Sequence, residues 1–126
     1  MKLLLDTQIY LWVLDDSPRL SERARAIIQA ADQVLISAAT IWEAAIKNAL
    51  GKLRVDPALL VAEIARSGFT ELPILARHAA AVSALPMHHK DPFDRLLIAQ
   101  ALTEPARLLT ADSILQSYSE LVETVS

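Results

Sequence analysis

The chain of 126 residues contains no cysteine and only two glycines, and these shortages exclude several classes of fold and of functional site. Without cysteine, no disulfide or thiolate site supports the fold or its chemistry, so we expect a reducing, cytoplasmic location. A hydrophobic content of 53% with 21% charged residues is typical of a folded globular chain and not of a disordered one. We expect residues 1–126 to form a single domain.

Long apolar runs and an excess of positive charge are also missing. No apolar stretch approaches the roughly 18 residues that a membrane-spanning helix needs, so we expect no membrane association. The apolar start resembles a signal peptide, but Asp6 interrupts it and no small-residue cleavage site follows. A formal net charge of −3 predicts no general affinity for nucleic acid. Any binding to nucleic acid must therefore depend on a local site.

Short apolar runs, typical of buried strands, alternate with helical patterns along the chain. We expect strands at 2–5, 34–36, 71–74, 107–109 and 121–125. We expect helices at 7–14, 20–31, 38–50, from 57 to about 67, from about 75 to 85, from 92 to about 104, and at 113–117. This alternation predicts an α/β fold with three layers, α/β/α, around a mainly parallel central sheet of four to five strands.

Acidic residues cluster at one edge of the predicted sheet. In parallel sheets, ligands bind beyond the carboxyl ends of the strands. Asp6 directly follows the first strand, and Asp112 follows the strand in "RLLTAD". Glu43 lies on the helix after the second strand, and Asp91 and Asp94 open the helix that begins with "DPFD". The predicted fold therefore brings these carboxylates towards one edge.

Helix capping offers a purely structural alternative for several of these acids. Asp6, Asp91 and Asp112 each precede a predicted helix, where an aspartate accepts a backbone N–H as an N-cap. Asp94 occupies the third helical position of a capping box, although its side chain is short for the return bond. Capping therefore remains an open interpretation for three of the acids.

Glu43 is not explained by capping. It lies within an apolar stripe of its helix, formed by Ala39, Trp42, Ile46, Ala49 and Leu50. A pair with Lys47, four residues on, contributes only about 0.2–0.5 kcal/mol. That is too little to offset the burial of a charge without a real partner. We therefore expect Glu43 to take part in a site.

Several carboxylates that share one edge repel each other unless a cation lies between them. An oxygen-rich site without thiols suits a hard cation, Mg²⁺ or Mn²⁺. Two such ions about 3.5–4 Å apart form the usual clamp for phosphodiester cleavage. The acids therefore indicate a metal-dependent hydrolase of phosphodiesters.

Four segments, "LLLDT", "SAATIWEAAIK", "HHKDPFDRLLIAQA" and "LLTAD", together resemble the PIN-domain ribonucleases, and in particular the VapC-type toxins of bacterial toxin–antitoxin pairs. The resemblance implies a divalent-metal endoribonuclease whose partners are RNA, a small antitoxin and a second copy of the chain. It implies that the catalytic and metal-binding residues are Asp6, Glu43, Asp94 and Asp112, with Thr7, Asp91 and Thr110 as accessory residues.

Three further residues flank the "DPFD" motif. Arg95 is an accessory candidate that balances the charge of Asp94 or binds substrate phosphate; a structural ion pair is the alternative. For His88 and His89 we favour a solvated loop or a phosphate contact over a metal ligand, since the four acids already supply a hard site. Tyr10, Trp12 and Trp42 are expected in the core.

Three other classes of protein deserve comparison. A phosphatase of the haloacid-dehalogenase type needs a second aspartate two residues after the first, where this chain has Gln8. A phospho-acceptor receiver domain needs an additional acid pair and a lysine after a later strand, and "LLTAD" offers none. A catalytically inactive interaction module with the PIN fold remains open.

Overall fold

The computed structural model describes residues 1–125. Its strands are β1 (Lys2–Leu5), β2 (Gln33–Ser37), β3 (Thr70–Leu72), β4 (Arg107–Thr110) and β5 (Val122–Thr124). Its α-helices are α1 (Thr7–Asp15), α2 (Glu22–Ala30), α3 (Ala38–Ala49), α4 (Pro57–Arg66), α5 (Ala76–Ala81) and α6 (Pro92–Thr103). Two 3-10 helices cover Val82–Ala84 and Ser113–Tyr118. The predicted helix ending at residue 85 is therefore shorter, because its last turn tightens into a 3-10 helix.

The five strands form one sheet in the order β3-β2-β1-β4-β5, and every neighbouring pair is parallel. Leu4 lies at the centre, opposite Leu35 on one side and Leu108 on the other. The chain proceeds from β1 through β2 to β3 and then crosses back to place β4 against the free side of β1. The boundary between β1 and β4 is thus the switch point of the sheet, where ligands bind in such folds.

Alternate leucines of β1 face opposite layers of helices. Leu3 and Leu5 belong to the core under α1, α2 and α4, whereas Leu4 belongs to the core under α6. All three side chains are fully buried, and burial of one leucine contributes about 1.5–3 kcal/mol. The predicted three-layer fold is confirmed, with a sheet that is wholly and not just mainly parallel.

Acidic and hydroxyl side chains begin most of the helices. Each accepts a backbone N–H two or three residues ahead; these caps are Asp6, Ser21, Ser37, Asp56, Asp91 and Asp112. Within residues 1–125, three turns that follow helices have a backbone with positive φ. Two of them carry glycine, Gly51 after α3 and Gly68 after α4, and the third carries Asp16 after α1. The predicted caps at Asp6, Asp91 and Asp112 are therefore present.

Most of the apolar stripe on α3 lies outside the core, contrary to our expectation, and only Ala39 of the stripe is buried. Trp42 is 57% exposed and Leu50 is 63% exposed, and the Trp42 ring meets Phe93 edge-on at 5.0 Å on the surface. The buried residues of α3 are Ala39, Thr40, Glu43 and Ala44, so the helix is rotated away from its stripe. The prediction that Trp42 is a core residue was wrong.

The two aromatic residues of α1, Tyr10 and Trp12, agree better with the prediction that they are core residues. Tyr10 is fully buried, and its hydroxyl donates a hydrogen bond to the Leu60 carbonyl at 2.7 Å. Trp12 packs against the same core while remaining partly exposed. Among residues 1–125, no helix combines the length and apolar character required to cross a membrane.

Candidate metal centre

A cleft of about 340 Å³ opens at the carboxyl edge of the sheet, beside the switch point. All four predicted acids line it, together with two accessory candidates and two lysines. The lining residues are Asp6, Thr7, Gln8, Leu11, Glu43, Lys47, Lys52, Leu53, Asp91, Asp94 and Asp112. The fold thus brings together side chains that are more than 100 positions apart in sequence.

Thr110 joins the acids that follow β1 and β4. Its hydroxyl donates a hydrogen bond to Asp6 Oδ2 at 2.5 Å and accepts one from the backbone N–H of Asp112 at 3.0 Å. The other Asp6 oxygen, Oδ1, accepts the Ile9 N–H at 2.8 Å. Asp6 is therefore an N-cap and a member of the acid cluster at once. The two interpretations from the sequence do not exclude each other.

Thr7 and Lys47 hold the Glu43 carboxylate in the cleft. The Thr7 hydroxyl donates to its Oε1 at 2.7 Å and lies 3.2 Å from the Thr40 hydroxyl. Lys47 donates to its Oε2 at 2.8 Å. Glu43 is only 7% exposed, and a buried carboxylate needs a partner of opposite charge. The ammonium group of Lys47 is that partner. Lys47 thereby places one positive charge beside the carboxylates.

Asp91 and Asp94 make different contacts at the start of α6. Asp91 Oδ1 accepts the backbone N–H groups of Phe93 and Asp94, at 2.8 and 3.1 Å. Within residues 1–125, no hydrogen bond returns from the Asp91 N–H to the Asp94 carboxylate. Asp94 Oδ2 instead lies 2.9 Å from His89 Nε2. The capping box is therefore incomplete, and the Asp94 carboxylate is directed into the cleft.

Burial and crowding raise the pKa of two acids in the cleft. Burial, reinforced by the charges of Asp94 and Glu43, raises the pKa of Asp6 to about 6, even though Thr110 and Ile9 donate hydrogen bonds to it. Burial and the charge of Asp91 raise the pKa of Asp94, again with a contribution from Glu43. The hydrogen bond to Glu43 raises the pKa of Lys47. The cleft thus contains more carboxylates than positively charged side chains. A bound cation would reduce the repulsion between these carboxylates.

The donor set fits a hard divalent cation. Carboxylate oxygens predominate, thiols are absent from the sequence, and hydroxyl groups orient two of the acids. One oxygen each of Asp94 and Asp112 and one nitrogen of His89 all lie within 4.8 Å of one another. Such a spacing is compatible with ligands of a single ion.

Arg95 lies elsewhere than the sequence suggested. It is 8% exposed, and its guanidinium donates to the carbonyls of Val82, Leu85, Pro86 and His89. No ion pair links Arg95 to any carboxylate of residues 1–125. The arginine therefore fixes the loop before α6, which explains why it is buried beside Asp94 without pairing with it.

His89 is the residue whose position the sequence did not reveal. Our expectation was a solvated loop or a phosphate contact, yet its imidazole reaches the cleft acids. His88, by contrast, packs its ring edge-on against Tyr118 at 5.0 Å. The only signal in the sequence was that His89 precedes Asp94 by five residues and that α6 begins between them.

A second, larger groove of about 710 Å³ lies beside the cleft, between α1 and the segment from Leu53 to Glu63. It carries Arg19 and Arg54 together with apolar side chains of α1 and α4. Three residues line both concavities: Gln8, Leu11 and Leu53. The groove holds none of the four clustered acids, but it leads directly to them.

The fold and the cleft define a three-layer α/β domain with a carboxylate cluster at the switch point of a parallel sheet. The profile of the PIN domain family matches residues 3–121, and the chain belongs to that family. No curated protein sequence matches the chain significantly.

Solved structures share the fold, and two of them illustrate the likeness. VapBC2 from Rickettsia felis, bound to a DNA fragment from its promoter, superimposes with a TM-score of 0.71 at 16% sequence identity, covering 98% of each chain. A toxin–antitoxin complex from Klebsiella pneumoniae superimposes with a TM-score of 0.65 at 21% identity, covering 97% of this chain and 96% of the other.

Proposed function

We propose that this protein is a divalent-metal-dependent endoribonuclease, with Mg²⁺ or Mn²⁺ as its cofactor, and the toxin of a type II toxin–antitoxin pair. One observation carries the proposal: four acids from four parts of the chain converge in one cleft. There, burial together with the charges of Asp94 and Glu43 raises the pKa of Asp6 to about 6. Membership of the PIN domain family and the likeness to toxin–antitoxin complexes support it.

In this proposal, Asp6, Glu43, Asp94 and Asp112 hold the metal ions. When bound, such ions act as Lewis acids on the phosphate and make water a stronger nucleophile at neutral pH. Thr7 and Thr110 orient the deeper carboxylates through the hydrogen bonds described above. In this proposal water attacks the phosphorus and the bond to the 3′ oxygen breaks, so we expect products with 5′-phosphate and 3′-hydroxyl ends and no 2′,3′-cyclic phosphate.

The acidic net charge is compatible with an RNA substrate. Two divalent ions in the cleft would change the formal net charge from −3 to about +1. Lys47 and Lys52 line the same cleft, and in this proposal they contribute positive charge for the substrate phosphate. Binding of the backbone would then depend on the site and not on a broad basic face. We expect selection by RNA shape or by a single-stranded loop, in the cytoplasm.

The proposed protein partner is a small antitoxin encoded beside this chain. Both similar structures are toxin–antitoxin assemblies, and the larger groove is continuous with the acid cleft. A segment lying in that groove could reach the carboxylates, and an arginine at its end would match their charge. The antitoxin would inhibit cleavage by covering the site.

A homodimer is the second proposed assembly. The exposed apolar stripe of α3, with Trp42, Ile46 and Leu50, is the kind of surface that protein interfaces cover. Light scattering of the purified chain measures this state directly.

The decisive experiment for the function is cleavage of a defined RNA by purified protein. We expect cleavage with Mg²⁺ or Mn²⁺, complete loss with EDTA, and recovery when the ion is restored. Analysis of product ends should show 5′-phosphates. Cleavage at an unchanged rate in EDTA would contradict the mechanism, whereas no cleavage of any RNA under any metal would favour an inactive interaction module.

A further inference from the structure

His89 stands at the edge of the acid cleft, on the loop that precedes α6. Its Nε2 atom lies 2.9 Å from Asp94 Oδ2. That nitrogen, an Asp94 oxygen and an Asp112 oxygen all lie within 4.8 Å of one another. The three residues come from a loop, the N-terminal turn of α6 and the N-cap of the 3-10 helix that follows β4. A nitrogen donor is thus placed beside two carboxylates that the proposed function assigns to metal.

The backbone that carries His89 is held on several sides. Its N–H donates to the Tyr118 hydroxyl at 2.8 Å, and its carbonyl accepts from Arg95 Nη1 at 3.4 Å. Arg95 also donates to the Pro86 carbonyl at 2.9 Å, and its own burial leaves it little alternative to these loop acceptors. The imidazole is therefore presented by a fixed loop, and its position beside Asp94 is not that of a free surface side chain.

We propose that His89 is a ligand of one of the metal ions, bound through Nε2 next to Asp94 and Asp112. Neighbouring ligands of an octahedral ion with bonds of about 2.1 Å lie about 3.0 Å apart. The observed 2.9 Å between His89 Nε2 and Asp94 Oδ2 therefore suits two adjacent ligands as well as a hydrogen bond. In the metal-bound form the imidazole is neutral and carries its proton on Nδ1.

A nitrogen ligand changes which metals the site prefers. Carboxylates and water suit Mg²⁺ and Mn²⁺, whereas imidazole favours later transition metals such as Co²⁺ and Zn²⁺. The inference rests on the proposed metal-dependent function and extends it, because it makes His89 the residue that sets metal preference. Loss of the imidazole should weaken binding of Co²⁺ by about tenfold or more while changing Mg²⁺ affinity much less.

Pulsed electron paramagnetic resonance of bound Mn²⁺ tests the ligand directly, without reference to RNA cleavage. We expect the coupling of a directly bonded nitrogen in the wild-type protein, and the change in that coupling that follows labelling of histidine with ¹⁵N. The coupling should disappear in His89→Gln. His88→Gln is the matched control, since His88 is adjacent and packs on Tyr118; this variant should keep the coupling.

Each outcome decides between clear alternatives. Mn²⁺ bound with oxygen ligands alone would overturn the inference and leave the four-acid site intact. A wild-type protein that binds no Mn²⁺ would overturn the inference and the proposed function together. Should His89→Gln fail to fold, the ¹⁵N-labelled wild type and His88→Gln still decide, because the remaining histidine, His78, is fully buried and hydrogen bonded to Glu104. Persistence of the nitrogen coupling in His89→Gln would also refute the assignment.

Discussion

Replacement of Asp6 by asparagine should stabilise the metal-free protein, although it removes a residue of the proposed site. Asparagine has nearly the same shape and is an equally good N-cap, so its oxygen can keep the bond from the Ile9 N–H. Its amide can donate to the Thr110 hydroxyl, which donates to Asp6 in the wild type. The principal change is therefore the loss of a buried negative charge beside Asp94 and Glu43.

The size of the effect follows from the pKa of Asp6. A rise of the pKa from 3.8 to about 6 corresponds to about 3 kcal/mol of folding free energy lost at neutral pH, since a shift of one pKa unit equals about 1.36 kcal/mol. Allowing for imperfect hydrogen bonds of the amide, we expect Asp6→Asn to gain about 1–3 kcal/mol. For a domain of this size that is a rise of roughly 4–12 °C in melting temperature.

The pH dependence has a defined sign. A raised pKa means that the folded state binds the proton more tightly than the unfolded state. The destabilisation by Asp6 is therefore complete above about pH 6 and disappears as the pH falls towards 3.8. The advantage of Asp6→Asn should be largest near pH 7.5 and should shrink steadily towards pH 4.

Urea unfolding in EDTA at several pH values measures this difference. Asp56→Asn is the matched control, because Asp56 caps α4 in the same way but is exposed and lies outside the acid cleft; its stability should change by less than about 0.5 kcal/mol. If Asp6→Asn is less stable than wild type in EDTA at pH 7.5, the cleft is not under electrostatic stress and this reasoning is wrong.

Three further predictions concern other parts of the molecule. Mn²⁺ at a hundred times its dissociation constant should stabilise the wild type by about 2.7 kcal/mol, and Asp94→Asn clearly less, in thermal melts; equal gains would remove Asp94 from the site. Trp42→Glu should lower the mass measured by light scattering from that of the proposed dimer to that of a monomer, while the fold persists by circular dichroism; an unchanged mass would place the interface elsewhere. Arg95→Met should lower stability by about 1–3 kcal/mol, since the loop carbonyls lose their donor; an unchanged urea midpoint would show that water replaces the guanidinium.

The sequence was sufficient to predict the layers of the fold and the convergence of Asp6, Glu43, Asp94 and Asp112 in one cleft. Its limits appear at Asp6, for which capping and site membership were separate alternatives. A carboxylate has two oxygens, and the structure uses Oδ1 for the Ile9 N–H and Oδ2 for Thr110. Both interpretations hold at once, and the second depends on a contact between residues 104 positions apart, which no local pattern contains.

For Glu43, the expected burial in the site was correct, but the premise that its apolar stripe packs in the core was wrong. Its burial was inferred from an apolar stripe, yet Trp42 and Leu50 of that stripe are exposed and Glu43 is buried on a neighbouring face. Helical periodicity shows that a face is apolar, but not whether that face packs inside the domain or against another chain. His89 escaped notice for a related reason, because its placement depends on Tyr118, 29 residues away.

The most direct test of the account compares two neighbouring aspartates in one RNA cleavage assay with Mn²⁺. Asp91→Asn keeps a good N-cap and should retain most of the wild-type rate, whereas Asp94→Asn, only three residues further along the chain, should abolish cleavage. Both side chains line the same cleft and differ in the direction of their oxygens. Equal loss in the two variants would show that the acids of α6 are wrongly assigned, and full activity of Asp94→Asn would contradict the metal-dependent mechanism itself.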